Sequence, residues 1–151
     1  MTARQVIERT FDAPIELIWE LWTTAEGRGS WYGPRGFSTE VHRYELEVGG
    51  AFDYTMRAST PEMAANMERM GRPPAFTVNA VITALEPHQL IAWRETHGSD
   101  SILTTARFTQ RDDGVHLELV LEAASEQQLG GAAMGWKSTL ERLAEQLAQP
   151  G

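Results

Sequence analysis

The 151-residue chain contains no cysteine. That excludes disulfides, thiolate zinc sites and thiol catalysis. No apolar run approaches the length of a membrane span or a signal peptide. Basic residues are few: 13 Lys and Arg stand against 21 Asp and Glu, for a net charge of −8. Phosphate contacts need clustered cations, and no basic run occurs, so nucleic acid is not an expected partner. The acidic balance favours solubility. The expected location is the cytoplasm. Internal repeats and low-complexity segments are also missing.

What is present is ordinary for a folded globule: 42% hydrophobic and 23% charged residues. Disordered, collagen-like and coiled-coil chains are thereby excluded. The length suits one domain, expected over 1–148, with 149–151 as a tail. A chain of this size buries about 70% of its unfolded surface, enough for a core without staples.

Alternation over Arg4 to Phe11 predicts a strand. Asp12 and Pro14 signal a helix start. The helix from Pro14 to Thr23 places Ile15, Ile18, Trp19 and Trp22 on one face. Leu17 and Leu21 widen that stripe, which predicts burial on more than one side. A second short helix is expected within Thr24 to Trp31. Strands are expected over Phe37 to Glu47 and Ala51 to Ala58, joined by a turn at Val48-Gly49-Gly50.

The segment 59–74 differs in character. Met63, Met67 and Met70 follow at spacings of four and three, between Thr60-Pro61 and Gly71. It reads as a short helical insert, either a lid or a surface excursion. Four strands then follow, within Phe76 to Leu85, Gln89 to His97, Ser101 to Gln110 and Val115 to Glu122. In the last of these Val115, Leu117, Leu119 and Leu121 face inward.

Ser125 and Gln128 have the spacing of a capping box. Beyond them Leu129, Ala133, Trp136, Leu140, Leu143 and Leu147 form one face of a long helix, with Lys137, Glu141, Arg142, Glu145 and Gln146 pointing away. Gly130, Gly131 and Gly135 oppose helix by about 1 kcal/mol each against Ala. Two explanations suit them: the helix begins after Gly131, or the glycines permit a close approach. Antiparallel strands with helices at the ends predict an α+β fold, a curved sheet wrapped around the C-terminal helix.

Several segments carry a resemblance. They are FDAPIELIWELWT, WYGPRGF (31–37), ELEVGGAFDYTMR (45–57), ALEPHQLIAW (84–93) and GWKSTLERLAEQL (135–147). In this order they resemble the family of the C-terminal domain of the activator of heat shock protein 90 ATPase. That family lies within the SRPBCC superfamily, with the START and birch-pollen-allergen types. The resemblance implies a helix-grip fold with a cavity between sheet and long helix. It also implies either a lipophilic-ligand carrier or a co-chaperone. The longer, methionine-rich 59–74 segment departs from the family's short hairpin.

Candidate chemistry is sparse. No Gly-x-Ser-x-Gly and no nucleotide fingerprint is present. The four histidines, His42, His88, His97 and His116, lack metal-ligand spacing, so neither a metal nor another cofactor is expected. On one strand Ile91, Trp93, Glu95 and His97 share a face. If Trp93 faces the cavity, Glu95 and His97 become weak candidates for acid/base catalysis. The alternative, which the sequence favours, has the strand end leaving the sheet with both residues solvated.

The candidate ligand-binding residues are Trp19, Trp31, Phe52, Tyr54, Met56, Met63, Met67, Phe76, Trp93, Glu95, Phe108, Met134 and Trp136. Except for Glu95 and the two methionines of the insert, these fall on faces read as inward. Five tryptophans exceed the usual content, and an aromatic wall with a few polar groups describes a ligand pocket. The first functional reading is therefore a small hydrophobic ligand held between sheet and helix. The second is a protein-interaction domain for a chaperone, through an exposed apolar patch at WYGPRGF or the methionine insert. The third is an acid/base enzyme acting on a hydrophobic substrate. A homodimer through a sheet edge or the insert is a further expected assembly.

Overall fold

A computed structural model describes residues 2–97 and 100–148. In chain order the elements are β1 (Ala3–Phe11), α1 (Ile15–Thr23), α2 (Ala25–Gly29), β2 (Phe37–Tyr44) and β3 (Ala51–Ala58). Then come α3 (Pro61–Arg69), β4 (Ala75–Glu86), β5 (Leu90–His97), β6 (Asp100–Arg111), β7 (Gly114–Ala123) and α4 (Glu126–Ala148). The fold is α+β, as the strand run predicts, and α3 forms inside the 59–74 segment.

All pairings are antiparallel, and the strand order is β1-β7-β6-β5-β4-β3-β2. Consecutive strands from β2 to β7 are neighbours, while β1 pairs with β7, from Ala3 opposite Ala123 to Phe11 opposite Val115. Register shifts at Val41/Arg43 and Ile82/Ala84 are local irregularities of the kind that bend a sheet. Gly114 holds φ +129° at the β6–β7 turn, where a Cβ would run into the Phe11 carbonyl.

The sheet's inner face and α4 enclose the core. Val115, Leu117, Leu119 and Leu121 of β7 are fully buried, and so is Leu143 of α4. Each such side chain contributes roughly 1.5–3 kcal/mol by leaving water. Trp22 of α1 stacks on Trp136 of α4 at 5.8 Å and 5° between planes. α1 buries Ile18, Trp19 and Trp22; of the two residues expected to widen this stripe, Leu21 packs partly against the core and Leu17 is 41% exposed.

α4 begins at Glu126, with Ser125 Oγ accepting from the Gln128 backbone at 3.4 Å. Gln128 Oε1 reaches back to the Ala124 backbone N–H at 3.2 Å. Neither explanation of the glycines holds. The helix runs through Gly130, Gly131 and Gly135, and a Cβ at any of them would meet nothing within 4 Å. The glycines leave space rather than permit contact.

Two further α4 positions depart from the sequence pattern: Arg142 and Gln146 are half-buried rather than pointing away, while Glu145 is exposed as expected. Arg142 Nη1 donates to the carbonyls of Gly33 (2.7 Å) and Phe37 (3.0 Å). Glu145 pairs with Arg35 at 2.8 Å, and Gln146 donates to Ser30 Oγ at 2.8 Å. The 30–37 loop is thereby tied down along α4. Burial of the Arg142 guanidinium lowers its pKa, as desolvation penalises the charged form.

Candidate functional site

The loop, the sheet and the N-terminal half of α4 surround a cavity of about 180 Å³. Its floor comes from alternate residues of neighbouring strands: Tyr54 and Met56 of β3, Phe76 of β4, Glu95 of β5, and Ile102 and Thr104 of β6. Same-face residues recur every second position, so Tyr54 and Met56 belong to one row. The roof is α4, where Ala132 and Gly135 alternate with Trp136 and Thr139. Small residues there explain the void, because nothing reaches down to fill it. An engineered apolar cavity of about 150 Å³ holds benzene, so this space fits one ring.

A second, outer space of about 580 Å³ lies beneath α3. Met67, Pro73 and Phe37 bound it, and it shares Pro34, Met56 and Phe76 with the inner cavity. Met56 and Phe76 therefore stand between the two. Met67 is buried, whereas Met70, at the end of α3, is 68% exposed.

The polar end of the cavity is built on Glu95. Its Oε1 accepts from Tyr54 Oη at 2.9 Å, Trp93 Nε1 at 2.9 Å and Tyr32 Oη at 3.4 Å. Three donors converging on one oxygen suit a carboxylate, since charge-assisted bonds are the strong ones. Burial raises the pKa of both Tyr32 and Tyr54, and the Glu95 charge adds to each shift. Both phenols stay protonated and keep donating. The solvated reading of Glu95 is overturned: the residue is half-buried and lines the cavity. The strand does not leave the sheet there, because Glu95 pairs with Ala80 and Ile102.

Beside this cluster lies a charge that the sequence pattern does not mark. Arg28 of α2 is fully buried. Nη1 donates to the Trp22 carbonyl at 2.7 Å and to Tyr44 Oη at 3.2 Å. Nε and Nη2 have no hydrogen-bond acceptor among the described residues. Rings meet them instead: Cζ lies 4.3 Å from the Trp93 centroid, 4.4 Å from Tyr32, 4.8 Å from Phe52 and 4.9 Å from Trp22. Each desolvated cation–π contact is worth about 2 kcal/mol, set against the several kcal/mol needed to bury the ion.

With this geometry in hand, the family described as "Activator of Hsp90 ATPase homolog 1-like protein" matches residues 12–148. The chain belongs to this family. No curated protein matches it at a significant level. Among solved structures, a Chromobacterium violaceum protein superposes with a TM-score of 0.80 at 19% identity, covering 98% of this chain and 99% of its own. An Arthrobacter aurescens protein gives 0.81 at 17%, covering 98% and 87%. The AHSA1-like protein from Aeromonas hydrophila gives 0.73 at 18%, covering 99% and 98%. At these identities the likeness concerns the fold, the helix-grip arrangement of this family.

Within the family fold, the residues singled out from sequence separate into groups. Tyr54, Met56, Phe76, Glu95 and Trp136 line the inner cavity, and Met67 lines the outer space. Trp31, Phe52 and Trp93 belong to the cage around Arg28. Trp19 and Phe108 pack edge-on against each other at 5.9 Å in the core, away from the cavity walls. Met63 is half-buried, its methyl group against Gly36, where an added Cβ would approach it to 2.6 Å. Met134 is a correction: it is 76% exposed. One residue turns an α-helix by about 100°, which carries Met134 off the stripe of Ala133 and Trp136. The His97 side chain lies outside the described residues.

Several wall residues of this cavity were not singled out from the sequence, among them Tyr32, Ile102, Thr104, Ala132 and Thr139. Tyr32 hides within WYGPRGF, which reads as a chain break, and Thr104 sits in an alternating strand without a distinguishing neighbour. No helix among the described residues is long and apolar enough to cross a membrane. No group of three or more His, Cys, Asp or Glu suited to a metal occurs among them.

Proposed function

We propose that this AHSA1-like domain binds a small apolar or aromatic molecule between the sheet and α4. The observation that carries the reading is the void itself. It is walled by Tyr54, Met56, Phe76 and Trp136, roofed by Ala132 and Gly135, and polar at one end through Glu95. An apolar pocket with a few convergent polar groups is the usual form of a small-molecule site. The inner cavity takes a ring, and the space beneath α3 takes a substituent beyond Met56.

The chaperone reading would need an exposed apolar patch. Trp31 and Tyr32 of WYGPRGF are instead 0% and 4% exposed, and Met67 of the insert is buried. Trp31 and Tyr32 turn inward, and of the insert's methionines only Met70 is exposed, at 68%, which is little apolar surface for a patch and supports the cavity reading.

The test is native mass spectrometry of the protein from its own host, followed by denaturing extraction, on wild type and Met56→Trp. The expected result is a stoichiometric small molecule on wild type and none on the variant, which fills the cavity from its β3 wall. Retention of the molecule by a folded Met56→Trp protein would contradict the proposal.

A further inference from the structure

The hydrogen-bond inventory of the cavity's polar end decides what kind of ligand it can receive. Tyr32 and Tyr54 each have one hydroxyl proton, and both donate it to Glu95 Oε1. The Trp93 N–H does the same. A carboxylate only accepts, and a phenol whose proton is engaged offers only lone pairs. Among the described hydrogen bonds, this end of the cavity therefore presents acceptors. The Thr139 hydroxyl, on the roof, already donates to the Gly135 carbonyl at 2.8 Å. Two lining groups remain outside this cluster: the Thr104 hydroxyl, which can turn either way, and the Trp136 N–H, which can only donate.

Charge narrows the class further. Tyr32 and Trp93, which donate to Glu95, also lie 4.4 and 4.3 Å from the Arg28 guanidinium carbon. The same two side chains thus hold a half-buried anion and a buried cation. A charged ligand would add a third ion beside this pair, at a desolvation cost that a neutral one avoids. A carboxylate would also meet Glu95 directly.

We infer that the cavity selects a neutral one-ring ligand bearing a hydrogen-bond donor, of the phenol class, with its hydroxyl directed at the Glu95–Tyr54–Tyr32 cluster. The inference rests on the ligand-binding reading above and specifies the polarity of the ligand. Acceptor-only rings of the same size are discriminated against, because a lone pair brought to this cluster faces other lone pairs. A site built to hydrogen-bond one substituent rejects the analogue lacking it far more strongly than it senses a methylene.

The experiment is isothermal titration calorimetry at pH 7 with four probes: p-cresol, 4-methylanisole, toluene and 4-methylbenzylamine. The expected result is p-cresol at least tenfold tighter than each of the others. Glu95→Gln brings an NH₂ donor into the cluster, and the p-cresol to 4-methylanisole preference is expected to fall at least fivefold. Equal or tighter binding of 4-methylanisole by wild type would overturn the inference and assign the polarity to Trp136 or Thr104. Tighter binding of the amine would overturn the neutral assignment. Either result leaves the ligand-binding reading standing. Binding of none of the four overturns this inference together with one-ring occupancy of the inner cavity. Ligand retained from the host in the mass-spectrometric test would then still support the broader reading. The comparison of probes uses wild type alone, so it stands if Glu95→Gln fails to fold.

Discussion

Two spaces framed by aromatic rings lie side by side under α4, and Tyr32 belongs to both. In one, Trp22, Tyr32, Phe52 and Trp93 close around the Arg28 guanidinium. In the other, Tyr32, Tyr54, Phe76 and Trp136 stand around an empty volume. The rings are of the same kind, and the difference lies in what faces them. Arg28 enters the first from a five-residue helix whose N-cap, Thr24, accepts from the Gly27 backbone at 3.0 Å. The second is faced by Ala132 and Gly135, with no side chain to fill it. Aromatic residues build walls, and the residues across from them decide between core and cavity.

The largest effect is expected from emptying the filled space. Arg28→Ala removes the cation from its rings and leaves the Trp22 carbonyl without its guanidinium donor, retaining only the Tyr44 hydroxyl. Loss of a large buried side chain with its polar contacts destabilises by about 3–5 kcal/mol. Urea unfolding of the variant measures it. A loss below about 1 kcal/mol would mean that the two spaces are energetically alike.

The converse change fills the empty space. Gly135→Leu adds a side chain where a Cβ meets nothing within 4 Å. Ligand uptake is expected to disappear, while urea unfolding shifts by no more than about 1–3 kcal/mol, the usual penalty for overpacking. Undiminished uptake would place the ligand elsewhere.

A smaller effect separates the Glu95 cluster from ordinary core. Burial and the Glu95 charge hold the Tyr32 and Tyr54 pKa values above the ordinary phenol value. The folded state therefore keeps these protons more tightly than the unfolded chain. That contribution is fully present below about pH 10 and is lost as pH rises through the raised values. Stability of wild type is expected to fall more steeply between about pH 9.5 and 11 than that of Tyr54→Phe. Parallel curves in alkaline urea titrations would contradict the assignment.

The smallest effect concerns α4 alone. Gly130 lies within the helix, is exposed and has open space at its Cβ position. Gly130→Ala is expected to stabilise by up to about 1 kcal/mol, read as a rise in Tm, without changing uptake. Changed uptake would mean that this end of α4 moves to admit the ligand.

Much of the fold was legible because its signals are periodic. Alternation marks β7 through Val115, Leu117, Leu119 and Leu121, and three- and four-residue steps mark α4 through Ala133, Trp136, Leu140 and Leu143. The site was less legible because a cavity is a property of facing surfaces. Tyr54 and Met56 announce an inward row, but their alternation is the same whether α4 opposite carries Leu or Gly. Gly135 reads as a weak helix former, and only the sheet beneath gives its missing side chain a meaning. Arg28 was invisible for a related reason. Its neighbours, Glu26, Gly27 and Gly29, give the short helix no apolar face, and the rings that bury Arg28 come from α1, β3, β5 and the loop after α2. Met134 was misplaced by one position, enough on a helix to exchange interior for surface.

The methionines supply the most direct test of ligand binding in this cavity. Met56 lines the inner space and Met67 the outer one, while Met70 and Met134 are exposed at 68% and 76%. Carbon-13 labelling of the methionine methyls gives each a separate NMR signal. Titration with p-cresol is predicted to shift the Met56 methyl to saturation while Met70 and Met134 stay in place. A stationary Met56 signal, or one that drifts with the surface methionines without saturating, would contradict ligand binding between the sheet and α4.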